Sequence, residues 1–139
     1  MNDDYNLQRF LDAQREVYEA VCAELAAGNK RSHWMWFIFP QLQGLGHSRT
    51  AQFYGISGRQ EAQAYLQHPV LGSRLRHCTQ LLLGVEGRSI DAIVGYPDNL
   101  KFRSSLTLFA QVTPDNQIFT DALNRFYDGH LDPLTLERL

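Results

Sequence analysis

The sequence predicts an all-α fold, a single compact domain of six to seven helices spanning residues 1–139. Apolar residues recur at helical spacing along most of the chain, and capping and stop residues fall at the ends of those stretches. Strand-like alternation is nearly absent. A hydrophobic fraction of 44% with 12% aromatic and 20% charged residues provides for one packed core and argues against disorder.

Leu7, Phe10, Leu11, Val17, Val21 and Leu25 define one first helix, with Asp3, Asp4 and Asn6 as caps and Gly28 as the stop. Tyr18 and Cys22 lie beside its apolar stripe and need no functional explanation. Residues 33–39, His-Trp-Met-Trp-Phe-Ile-Phe, fit a buried strand or a buried helix, because periodicity does not separate the two over so short a run. A small two-stranded element stays open there. Residues 41–48 form a loop punctuated by Gly44 and Gly46, followed by a short helical stretch through Ala51, Phe53 and Tyr54.

Helical character returns over 59–66, and Pro69 suits the first position of the next helix, where its missing N–H costs nothing. That helix carries Val70, Leu71, Leu75, Cys78, Leu81 and Leu82 to a stop near Gly84 or Gly87. Ser89 caps a short helix through Ile90, Ile93 and Val94, closed by Gly95 and Pro97. Two amphipathic helices follow over 99–111 and 118–127, with Gly129 as a stop and 131–139 as a docked tail. No repeat, low-complexity segment or linker interrupts the chain.

Composition excludes several classes. The longest apolar run, 34–40, is far shorter than the roughly 20 residues that span a bilayer, and Met1-Asn2-Asp3-Asp4 lacks the basic and apolar parts of a signal peptide. A cytoplasmic protein without membrane association is therefore expected. Cys22 and Cys78 are expected as buried free thiols in that compartment. A net charge of -2 argues against extended duplex DNA as a partner, since counterion release rewards many cations. No acid lies between Glu24 and Glu61, so Lys30, Arg31, Arg49 and Arg59 should make the middle of the chain locally positive.

The densest chemistry lies at Lys30-Arg31-Ser32-His33-Trp34-Met35-Trp36. Indole faces stack on planar groups or cations, and Lys30 and Arg31 can neutralise a phosphate or carboxylate. The same indoles also suit the middle of a core, provided that their N–H groups find partners. His33 carries the side chain type whose charge changes near neutrality, which suits an acid/base role as well as a helix cap. A second cluster, Asp98 to Thr107, sets Lys101, Ser104 and Ser105 on one side of a helix and Phe102, Leu106 and Phe109 on another. That polar side suits an oxyanion, or Lys101 pairs with Asp98 while the serines bond back to the helix.

No histidine pair has zinc-motif spacing, and neither a glycine-lysine phosphate loop nor a G-x-S-x-G elbow occurs, so no metal site and no cofactor are expected. His47, His68, His77 and His130 are scattered, with His68 before Pro69 the best candidate among them for a role.

The run over 30–41, KRSHWMWFIFPQ, with Gly44-Leu45-Gly46 after it, resembles the family known as domain of unknown function 1810. The likeness continues through Glu61-Ala62, Ala64-Tyr65-Leu66, 68–75, Asp98 with Lys101, Ser104-Ser105, Thr107-Leu108-Phe109, Phe126, Gly129, Asp132, Thr135-Leu136 and Leu139. It implies a mainly α-helical single domain of bacterial and fungal type, and it implies no activity.

The residues together favour binding of a small anionic, nucleotide-like ligand, with turnover an open extension. Trp34 and Trp36 would stack on it, and Lys30, Ser104 and Ser105 would meet its polar atoms. Gln41, Ser48, Arg74 and Asp98 are secondary binding candidates. In a reaction His33 would be the acid/base and Lys101 would stabilise negative charge. The alternative is a non-catalytic module whose positive segment meets an acidic protein or single-stranded nucleic acid.

Overall fold

The computed structural model describes residues 3–139, so Met1 and Asn2 of the polar start lie outside the described residues. Ten helices stand where six to seven are expected, and no strand occurs among the described residues. The difference has three sources.

First, the single N-terminal helix is two, α1 (Gln8–Gln14) and α2 (Tyr18–Ala26). The apolar spacing runs on without a glycine or proline, but Gln14 is buried and fixed from three sides. Its amide donates to the Phe37 carbonyl at 2.7 Å and the Tyr65 hydroxyl at 3.3 Å, and its oxygen accepts from Arg74 at 3.2 Å. The chain turns immediately after it, with the Val17 amide on the Gln14 carbonyl. Tertiary hydrogen bonding of a buried amide outweighs helix propensity here. The ends of the pair follow expectation: the Asp3 carboxylate accepts the Leu7 and Gln8 amides, and Gly28 takes a φ of 68° after α2.

Second, the aromatic run forms one helical turn, α3 (Met35–Ile38), and the two-stranded element left open there does not form. The only β-type pairing among the described residues is an isolated parallel bridge between Leu42 and Ile56. Third, the docked tail contains a helix, which is α10 in the order below.

The remaining elements lie close to their predicted places: α4 (Arg49–Tyr54), α5 (Arg59–Gln67), α6 (Leu71–Leu83), α7 (Ile90–Val94), α8 (Asp98–Val112), α9 (Gln117–Tyr127) and α10 (Pro133–Arg138). Ser89 caps α7 by accepting the Ala92 amide at 3.1 Å. Pro69 does not open α6. It sits in the turn before the helix, where His68 Nδ1 accepts the Val70 and Leu71 amides at 3.1 and 3.2 Å. His68 is thus accounted for as a helix cap.

The fifteen-residue α8 is the central element and packs against α3, α5, α7, α9 and α10. Its buried apolar side chains, with Phe10, Leu25, Trp34, Phe39, Tyr65 and Phe119, form one apolar core. Phe39 and Phe102 join the aromatic run to α8 with ring centroids 4.7 Å apart. Cys78 is buried and Cys22 is half-buried rather than buried, both as free thiols. Burial pushes the Cys78 thiol up to about 12, which makes it a poor nucleophile. Among the described residues no helix is long and apolar enough to cross a membrane.

The corner between α5 and α6 depends on Gly72, where an added Cβ would lie 2.0 Å from the Leu66 carbonyl oxygen. Gly72→Ala should therefore lower stability by about 1–3 kcal/mol in denaturant unfolding, in spite of alanine's better helix propensity. An unchanged midpoint would mean that the corner opens freely.

Candidate functional site

The residues singled out in the sequence separate into a supporting framework and a set that faces open space. The framework begins at Glu24 on α2. Its carboxylate accepts the Arg31 amide at 2.7 Å, the Ser32 amide at 2.9 Å, the Ser32 hydroxyl at 2.6 Å and the Trp34 indole N–H at 3.0 Å. Burial alone would raise the Glu24 pKa, but these four donors outweigh it and hold the group at about 2. One carboxylate therefore folds the 31–34 loop over the end of α2.

Trp34 is 1% exposed and belongs to the core, its N–H satisfied by Glu24. Lys30 is also turned inward. Its ammonium lies 2.7 Å from Asp98, 2.6 Å from the Ser32 carbonyl and 4.9 Å from the centre of the Trp34 ring, with 7% side-chain exposure. The Lys30 amide donates to the Ile93 carbonyl, which ties the loop to α7. The positive charge expected over the middle segment is thus reduced at Lys30 by a carboxylate from α8.

Ser48 caps α4 by accepting the Ala51 amide at 3.1 Å. Arg74 is directed to Gln14 and lies over Tyr18, 4.4 Å from its ring centre. Ser104 is buried, its hydroxyl 2.8 Å from Asp132, and Ser105 is 1% exposed. Lys101 reaches over the Trp36 ring at 4.7 Å from its centre and sits 3.9 Å from Asp98.

What remains outward-facing is arranged around Trp36. On one side lies an open groove of about 440 Å³ lined by His33, Trp36, Phe37, Arg49, Thr50, Phe53 and Tyr54. The one-turn α3 places Trp36 and Phe37 on its floor, and the Ser48 cap starts α4 so that Arg49, Thr50 and Phe53 make the opposite wall. Phe53 is 55% exposed and packs edge-on against Tyr54 at 4.8 Å. None of the lining residues is acidic, and Arg49 has no ion-pair partner among the described residues.

On the other side of Trp36, Gln41 and Gly46 line a void of about 10 Å³ together with the indole, and beyond them opens a second concavity that contains Lys101 and Ser104. The structure thus brings His33 and Trp36 to one hollow, and Gln41, Lys101 and Ser104 to another. Lys30, Trp34 and Asp98 stand behind both as support.

Sequence reasoning missed three carboxylates that organise this region: Glu24, Asp132 and Glu61. Asp132 precedes α10 and accepts from Ser104 at 2.8 Å and Thr135 at 2.6 Å, with Arg103 at 3.4 Å. Burial raises its pKa, yet the bonds from Thr135, Ser104 and Arg103 win, and the group lies below its ordinary value. The available signal was the family resemblance, which includes Glu61 and Asp132; Glu24 had none, because its partners are backbone amides, a hydroxyl and an indole rather than a cation. No group of three or more histidine, cysteine, aspartate or glutamate side chains able to hold a metal ion occurs among the described residues.

The fold recurs in a solved structure. The chain superposes on the crystal structure of a conserved hypothetical protein from Mycobacterium tuberculosis with a TM-score of 0.98 and 55% identity, covering 99% of this chain and 98% of that one. No curated protein matches the chain. The model of the DUF1810 family, described as a protein of unknown function, matches residues 4–139, which span both hollows and the framework behind them, and the chain belongs to that family.

Proposed function

We propose that the protein binds a small anionic, nucleotide-like ligand in the groove beside Trp36. The observation that carries this reading is the convergence of four aromatic side chains with His33 and Arg49 in a hollow lined by no carboxylate. A planar group stacked there gains roughly 1–3 kcal/mol per aromatic contact, judged by base stacking in nucleic-acid complexes. Its anionic part meets Arg49, whose guanidinium is uncommitted to any protein carboxylate. His33 on the groove wall is the side chain through which a bound substrate would exchange a proton, and Lys101, on the Trp36 ring, adds positive potential.

The test is thermal stability in the presence of nucleotides, dinucleotides and sugar phosphates. A ligand at 100 times its dissociation constant should stabilise the protein by about 2.7 kcal/mol, and Trp36→Ala and Arg49→Ala should each remove most of that gain. Failure of the whole panel, or a gain untouched by both substitutions, refutes the groove as the site. A second reading, a surface for an acidic protein or single-stranded nucleic acid, draws on the 55% exposure of Phe53 beside Arg49. Short single-stranded oligonucleotides in the same panel separate it, since that reading expects them to bind where mononucleotides do not.

A further inference from the structure

The second concavity, of about 360 Å³, lies between the loop that carries Leu45 and Gly46, the start of α8, and α10. Its lining divides into two chemistries. Leu45, Pro97, Leu100 and Leu134 form an apolar side, and Leu100 and Leu134 are 47% and 58% exposed. Two large, exposed aliphatic side chains on the lining of one hollow favour an apolar occupant.

The opposite side is polar and carries an imbalance. Asp98 serves both Lys30, at 2.7 Å, and Lys101, at 3.9 Å. The shorter contact belongs to Lys30, so Lys101 is only partly neutralised. Asp132 is the carboxylate of Arg103, through one long contact of 3.4 Å. The lining itself carries two cations, Lys101 and Arg103, and one carboxylate, Asp132, while Asp98 behind it is shared with Lys30, which leaves positive charge in excess. Arg103 is also short of acceptors: its Nη2 makes the one long contact with Asp132, and its Nη1 donates to no protein group among the described residues. The Asp132 oxygen that could have served it more closely already accepts from Ser104 and Thr135.

We propose that this concavity is a binding site for a small organic monoanion, a carboxylate with an apolar chain or ring. The carboxylate lies against Lys101 and Arg103, and the apolar part covers Leu45, Leu100 and Leu134. A single excess charge fits a carboxylate better than a phosphate dianion, and Arg103 supplies the forked donor geometry that a carboxylate accepts. The volume falls within the range of small-molecule sites, about 300–1,000 Å³. The walls of this site share no residue with those of the aromatic groove, and Lys101, whose ammonium lies over Trp36, is the side chain common to both readings.

The experiment is titration of the intact protein with octanoate, followed by calorimetry and amide-resolved NMR, with octan-1-ol and inorganic phosphate as parallel probes. The expected result is saturable octanoate binding with shifts centred on Leu100, Arg103 and Leu134, at least tenfold weaker binding of octanol, and no displacement of octanoate by phosphate. Leu134→Glu, at an exposed position that the fold does not need, should weaken octanoate at least tenfold while leaving the far-UV circular dichroism unchanged. Lys101→Met should weaken octanoate and leave octanol unaffected. Absence of saturation, shifts elsewhere, equal binding of octanol, displacement by phosphate, or octanoate binding indifferent to Leu134→Glu and Lys101→Met would each overturn the proposal.

Discussion

Arg9→Ala should cost about 3–5 kcal/mol of folding stability, a large share of the roughly 5–15 kcal/mol that holds a domain of this size together. Arg9 and Glu61 pair at 2.7 Å with side chains 8% and 3% exposed. The same guanidinium donates to the carbonyls of Tyr5, Asn6, Phe53 and Gly55. Glu61 in turn accepts the Ser57 amide at 2.9 Å. Removing Arg9 leaves a buried carboxylate without its cation and frees several carbonyls at once, which is the costly way to break such a pair. The double substitution Arg9→Met with Glu61→Leu should recover part of the loss, because no unpaired charge is then left inside. Denaturant unfolding of the two variants beside the unaltered protein measures this, and a loss below about 1 kcal/mol in Arg9→Ala would mean that the pair behaves like an exposed one. The effect should reach the groove as well, since the carbonyls of Phe53 and Gly55 end the helix that forms its outer wall.

The second large effect concerns Glu24. Its pKa is lowered from 4.5 to about 2 in the folded protein, so its contribution is fully present above the unfolded value and is lost as pH falls through the folded one. At about 1.4 kcal/mol per unit the shift has an upper bound near 3.5 kcal/mol, and solvent screening at this half-buried position reduces the expected contribution to about 2 kcal/mol. Glu24→Gln should therefore lower stability by about 2 kcal/mol at neutral pH and flatten the decline that the unaltered protein shows between about pH 4.5 and 2. Equilibrium unfolding across that range checks both parts. If the variant declines with acid as steeply as the unaltered protein, the linkage lies with other carboxylates, Asp132 first among them.

How far these features were legible in the sequence depends on the distance over which each is determined. Helices set by local spacing and caps, such as α7 after Ser89 and α8 through Phe102 and Phe109, stand close to where the residues place them. The break after Gln14 was not legible, because its cause is three hydrogen-bond partners at positions 37, 65 and 74. The aromatic run was undecidable for another reason. The run is too short for its period to be read, and its partly exposed positions, Trp36 and Phe37, are as apolar as its buried ones.

For the site, residue type was a better guide than proximity in sequence. The cluster at 30–36 is central, but its members serve opposite ends: Trp34 and Lys30 face inward to Glu24 and Asp98, while His33 and Trp36 line open space. Two positions separate the indoles, and on a single helical turn that is enough to put them on different sides. The cation-rich composition was correctly located, whereas its neutralisation by Asp98 was set by a contact 68 positions away.

Trp34 and Trp36 are the chain's two tryptophans, and their different surroundings divide its intrinsic fluorescence into two parts. The first indole is enclosed and tethered to a carboxylate, so its emission is shielded from water and from soluble quenchers and follows the integrity of the fold. The second lies between an ammonium and an open groove, so its emission would follow occupancy of that groove by the proposed ligand. With such a ligand the molecule would carry its own reference and its own sensor, two residues apart.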